Sequence, residues 1–329
     1  MATVIVHTAG LLTTVQDRGR YGYQRYGMPV SGAMDVFSLE LANLLVGNDP
    51  GDACLEATIT GPELEFTGTT WVAITGADMD PHLNGQGIPI NTAVDVRPDD
   101  RLGFKGLRSG CRAYIAFAGG IAVPPVMGSR STYLRAGIGG FNGRALMPGD
   151  ELPLGGFEPL SPPGRFSTGS AIRKPRLKML PEGLIPEYRH EQTIRIISGP
   201  EAHYFEIAGL RSFLSTEYTV TAQSDRMGYR LSGEPIKHRE GMTNIISAGI
   251  SLGTVQVPGD GQPIILMADR QTSGGYARIA NVITADLTLL AQMQPGDRIG
   301  FEETRTDKAR NLFLARLTSL SPFEPHGNS

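Results

Sequence analysis

Three short clusters in this chain set an acid beside a base: Gln16-Asp17-Arg18, Asp225-Arg226 and Asp269-Arg270-Gln271. The planar fork of arginine suits carboxylate, carboxyphosphate or phosphate, which it grips through two parallel hydrogen bonds. An aspartate beside it either holds the arginine in place or works as a base. The plainer reading is a structural ion pair bracing a turn. The third cluster has the richest surroundings. A strand-like Thr254-Val255-Gln256-Val257 is stopped by Pro258-Gly259-Asp260-Gly261, and an apolar run over 264–268 then empties into Asp269-Arg270-Gln271-Thr272 and Gly274-Gly275-Tyr276. A buried strand fixes the backbone of such a loop, and paired glycines admit a ligand or a second backbone. The bland alternative is a strand end with a polar turn. The candidates for anion and base chemistry are therefore Asp225, Arg226, Asp269 and Arg270. Those for contacting a ligand are Gln16, Asp17, Gln256, Gln271, Gly274, Gly275 and Tyr276.

Other motifs carry less. Gly249-Ile250-Ser251-Leu252-Gly253 has the G-x-S-x-G spacing of a nucleophile elbow, but a strand pattern follows it where that chemistry needs a helix. Asp78-Met79-Asp80-Pro81-His82 offers possible metal ligands, and reads more simply as an acidic turn after a strand. The glycines around Gly137 miss G-x-G-x-x-G because Asn142 holds the last position, and no Gly-Lys dipeptide supports a P-loop. Lys178-Met179 is a poor match to a biotin attachment site. No metal is expected.

These residues must be positioned by short strands. The chain has 329 residues with 42 Gly and 23 Pro, and few long helical patterns, which points to a mainly β protein of two domains. Strands are expected over 3–6, 55–59, 71–75, 113–118 and 193–197. A helix is expected over 35–46, stopped by Gly47, with a hairpin at Asn84-Gly85 and a surface helix over 306–320. Ser198-Gly199-Pro200-Glu201 reads as a helix start. The Pro- and Ser-rich stretch gives boundaries of 1–157, a linker over 158–190, and 191–329, with a frayed tail from Ser321. The halves echo each other: 59–63 (ITGPE) against 197–201 (ISGPE), 15–18 (VQDR) against 222–226 (AQSDR), and 145–150 (ALMPGD) against 292–297 (QMQPGD). The first two echoes swap order between the halves. Net charge is −3 without a basic tract, which lowers the prospect of nucleic-acid binding. Cys54 and Cys111 lie far apart, as expected in a reducing cytoplasm. No apolar run reaches the ~20 residues of a membrane span.

The segments at 14–35 (TVQDRGRYGYQRYGMPVSGAMD), 129–150 (SRSTYLRAGIGGFNGRALMPGD), 224–231 (SDRMGYRL) and 255–276 (VQVPGDGQPIILMADRQTSGGY) resemble the biotin-dependent carboxyltransferase family. That family includes KipA, also called the second subunit of allophanate hydrolase, and the C subunit of the bacterial 5-oxoprolinase. It is similar to part of the carboxyltransferase region of urea carboxylase. The resemblance spans about residues 4–301 and implies two cyclophilin-like β-barrel domains with a few short helices. It implies partners as well: a KipI-like subunit and, in the oxoprolinase, a LamB/YcsF-like subunit. The leading expectation is an ATP-dependent 5-oxoprolinase subunit, with ATP bound by the complex rather than by a P-loop in this chain. Two alternatives are a biotin-dependent carboxyltransferase component and a KipA-like regulator that binds a kinase inhibitor.

Overall fold

The computed structural model describes residues 2–155, 179–181 and 183–320, so most of the expected linker, Lys178 and the tail from Ser321 lie outside the described residues. The chain packs as two units. One holds the chain up to Gly19 together with Asp35–Ile185 and Leu320, and the other holds Arg20–Met34 together with Pro186–Ser319. A fifteen-residue arm from the first half of the sequence thus belongs to the second unit.

The first unit is two antiparallel sheets around one core. One sheet runs in the order Glu151–Pro153, Thr3–Thr8, Glu63–Phe66, Arg101–Phe104, Pro81–Leu83, Gln86–Gly87. The other runs Leu12–Gln16, Cys54–Thr58, Ser109–Phe117, Thr70–Asp78, Ala93–Val96. Alternating residues from both, among them Val4, Val6, Leu64, Phe66, Leu55, Ile74, Ile115 and Phe117, fill the space between them. Each such side chain, fully buried, contributes roughly 1.5–3 kcal/mol. The expected helix is Val36–Val46. The Asp35 carboxylate caps it by accepting from the Ser38 N–H at 3.1 Å, and Gly47 ends it with a left-handed φ of 80°. Asn84 and Gly85 both take positive φ in the tight hairpin joining Pro81–Leu83 to Gln86–Gly87.

The second unit closes into a barrel. Its seven strands run Glu191–Ser198, Arg298–Glu303, Tyr218–Val220, Gly228–Ser232, Ile264–Leu266, Thr254–Val257, Ser273–Val282 and back to the first. The first pair is parallel and the other pairings are antiparallel. Ile194, Ile196, Val255, Val257, Ile265, Ala277 and Ile279 point inward, and Met34 from the arm joins them. An eighth strand, Asn244–Gly249, lies outside the barrel against Ser273–Val282. The helix Thr306–Leu320 forms as its pattern predicts. The segment 198–201 differs from expectation: Glu201 precedes only a single 3-10 turn, Ala202–Tyr204. Gly199 lies so close to the neighbouring strand that a Cβ there would stand 2.2 Å from the Arg278 carbonyl oxygen. That segment's job is close backbone approach.

His238 is half-buried against the Phe205 ring, with Nε2 at 3.0 Å from the Val257 carbonyl. Burial pulls its imidazole below the ordinary value of 6.5, although the carbonyl opposes this. The folded state therefore binds fewer protons than the unfolded state just below pH 6.5. This contribution to stability is present in full above that pH and declines as pH falls towards the lowered folded value. Denaturant midpoints of wild type should drop between pH 7.5 and 5.5 more than those of His238→Gln, and equal drops would refute the assignment.

Candidate functional site

The strand period sets out the site. Val255 and Val257 enter the barrel core, so Gln256 faces away from it. Ala277 and Ile279 do likewise on the neighbouring strand, which turns Gly274, Tyr276 and Arg278 to the outer face. Gln256 is 2% exposed, and its Nε2 donates to the Tyr276 carbonyl at 3.3 Å. A Cβ at Gly274 would stand 2.5 Å from Ile250 Cδ1 and 2.9 Å from the Nε2 atoms of both Gln256 and Gln271. Two side-chain amides therefore converge on the one residue without a side chain. Gly274→Ala should push them apart and weaken ligand binding at least tenfold while moving the melting temperature by only a few degrees. Calorimetric titration beside a thermal melt checks this, and unaltered affinity would show the amides to be bystanders.

Arg270 lies at the start of this loop, partly buried. Its Nη1 donates to the Met267 carbonyl at 3.2 Å, and its Nε is 3.4 Å from the Ile250 carbonyl. No carboxylate of the described residues forms an ion pair with it. Burial draws the guanidinium below the usual arginine range, and nearby Tyr21 on the arm acts in the opposite sense. A half-buried guanidinium held only by carbonyls is suited to receive an anion.

Arg226 and Asp269, by contrast, serve each other. Their side chains are about 6% exposed and paired through two contacts, Nε to Oδ2 at 3.0 Å and Nη2 to Oδ1 at 3.1 Å. Arg226 Nη2 also donates to the Gly32 carbonyl, and Ser31 Oγ donates to Asp269 Oδ1, each at 2.5 Å. The pair thus locks the 20–34 arm onto the barrel. Arg226, expected as an anion binder, meets Asp269 and the arm in this pairing. Asp225 is exposed and caps its own turn, accepting from the Met227 N–H at 2.7 Å and the Gly228 N–H at 3.2 Å.

In the first unit, Asp17 organises the 129–131 loop. It accepts from Ser129 Oγ at 2.7 Å, the Arg130 N–H at 2.5 Å, the Gly19 N–H at 2.7 Å and Ser131 Oγ. Gln16 Nε2 donates to the Thr132 carbonyl at 3.2 Å, just as Gln256 donates to that of Tyr276. Arg18 turns outward to Glu40 at 2.6 Å. Asp80, in the possible metal cluster, is ion-paired with Arg108 at 2.8 Å and lies 3.6 Å from His82.

Sequence reasoning missed the Arg278–Glu201 pair. Arg278 Nε and Nη2 meet the Glu201 carboxylate at 2.6 and 2.7 Å, and its Nη1 reaches the Gly249 carbonyl at 3.0 Å. Two arginines therefore hold consecutive carbonyls, Gly249 and Ile250, of the turn that roofs Gly274. The repeated ITGPE and ISGPE segments were the available signal for Glu201. Arg278 had none.

Comparison with known proteins shows the family of the chain. The family described as the carboxyltransferase domain, subdomain A and B, matches residues 26–303. The chain is 41% identical over 301 residues to the 5-oxoprolinase C subunit of Escherichia coli, covering 92% of this chain and 91% of that protein. It is 36% identical over 316 residues to the urea amidolyase of Saccharomyces cerevisiae, covering 92% of this chain but only 17% of that much longer protein. The crystal structure of the K. lactis urea amidolyase superposes with a TM-score of 0.89 at 34% identity, over 98% of this chain and 20% of that one.

Proposed function

This chain belongs to the carboxyltransferase domain family, subdomains A and B, and we propose from that premise that it is the C subunit of an ATP-dependent 5-oxoprolinase. The observation that carries the reading is the cradle at Gly274, where the Gln256 and Gln271 amides meet, in the same loop as Arg270, a cation with no acidic partner among the described residues. 5-Oxoproline presents a carboxylate and a lactam. Arg270 grips the carboxylate, and the Gln256 and Gln271 amides hydrogen-bond the lactam edge. A lactam is a poor electrophile, and ATP bound by the assembly supplies the phosphoryl group that activates its oxygen. Asp269 keeps Arg226 and the arm in place. The base for the attacking water comes from another chain of the assembly, in keeping with KipI-like and LamB/YcsF-like partners.

The similarity to urea amidolyase favours a second reading, carboxyl transfer from biotin. There the same arginine holds the carboxyl group and the glutamines hold the ureido ring. Calorimetric titration of the assembled complex separates the two. Saturable binding of 5-oxoproline, with none of biotin, supports the first reading; the reverse supports the second. No helix among the described residues is long and apolar enough to cross a membrane. A cytoplasmic location remains part of the proposal.

A further inference from the structure

Edge strands expose unpaired backbone groups, and folded proteins blunt them with shortness, charge, proline or cover. Three edge strands of the first unit follow this rule plainly: Gln86–Gly87 has two residues, Glu151–Pro153 carries an acid and a proline, and Ala93–Val96 carries Asp95. The fourth, Leu12–Gln16, is buried along most of its length. The barrel closes on itself, which leaves one edge among the described residues of the second unit, Asn244–Gly249. That strand is six residues long, with neither charge nor proline, and Asn244, Ile246, Ser247 and Gly249 are exposed. Its register breaks between Asn244, opposite Tyr276, and Ala248, opposite Gly274. Four steps on one strand thus span two on the other. The surplus bows the strand outward and thrusts Ile246 into solvent at 96% exposure. Met242 and Tyr276 lie exposed close by in sequence or register.

We propose that this bowed strand is the docking site of a separate protein subunit, which receives Ile246 in an apolar pocket and completes the Arg270 site. The inference rests on the functional reading above. Three observations favour a separate subunit over other occupants. First, the strand is neutral and apolar at its apex, which suits a protein pocket rather than a charged ligand. Second, relatives carry this module in two forms: as nearly the whole of a protein named a subunit, and as 17% of one long chain. In the separate form, the assembly must be held by surface contacts. Third, the strand runs directly into Gly249 and Ile250, whose carbonyls meet Arg278 and Arg270. Docking at Ile246 therefore acts on the turn that roofs the cradle, which makes turnover depend on the partner.

The test is hydrogen–deuterium exchange of the full chain, alone and mixed with the KipI-like subunit, read at residues 244–249, together with the affinity of Ile246→Lys for that subunit. Exchange at 244–249 should slow at least tenfold in the complex, and Ile246→Lys should weaken association at least tenfold without shifting the thermal melt. A stable complex with unprotected 244–249 and unchanged affinity of the variant would overturn this inference alone. Failure of any complex to form would overturn the functional reading with it. Protection that appears without the partner and grows with concentration would assign the strand to a second copy of this chain, and would also overturn the proposal.

Discussion

Arg270→Ala should lower the substrate-dependent turnover of the assembled complex by about 10²–10³-fold, the usual loss when one preorganised charged donor is removed from a site. The melting temperature should hardly change. Among the described residues Arg270 has no acidic partner to strand, and burial already disfavours its charge. The two carbonyls it meets, at 3.2 and 3.4 Å, lose only long, modest contacts. Arg270→Lys should recover little, because a point charge cannot reproduce the planar fork. Steady-state kinetics on the complex, beside a thermal melt, decide the matter. Turnover within twofold of wild type would remove Arg270 from the site, whereas a collapse of the melt would recast it as structural.

Asp269→Ala should have the opposite signature. Removing the carboxylate leaves the Arg226 guanidinium buried and without its main counter-charge, which costs about 3–5 kcal/mol. Ser31 also loses its acceptor, so the 20–34 arm loosens from the barrel. The double variant Arg226→Met with Asp269→Leu should be less destabilised than the sum of its single changes, since no buried charge remains. Denaturant unfolding measures both effects, and exchange over 20–34 reports the arm. A loss below about 1 kcal/mol in Asp269→Ala would mean that water already serves the pair.

The sequence made local features legible and long-range ones not. Asp35 and Gly47 announce the two ends of one helix, and Asn84-Gly85 announces a hairpin, because caps and tight turns are written in adjacent residues. The polar loop at 269–276 was likewise visible as an apolar strand ending in charge and glycine. What the acids and bases do with one another was hidden. Asp269 pairs with Arg226 across 43 positions and Glu201 with Arg278 across 77, through contacts that exist only once the barrel closes. Adjacency misled at Asp225-Arg226 and Asp269-Arg270, where each arginine looks past its neighbouring acid. The arm was hidden for a similar reason. Ser31 and Gly32 read as ordinary loop residues, and nothing beside them in sequence names Asp269 or Arg226. The 244–249 strand (NIISAG) shows no alternation, since an outlying bowed strand has no buried face to impose one.

The most direct test of the proposed function is ATP turnover by this chain reconstituted with its KipI-like and LamB/YcsF-like partners, with and without 5-oxoproline, while glutamate release is followed. The prediction is ATP hydrolysis that requires 5-oxoproline and all three chains, with glutamate formed in step with ADP. A fully assembled complex that hydrolyses no ATP in response to 5-oxoproline, or releases no glutamate, would contradict it.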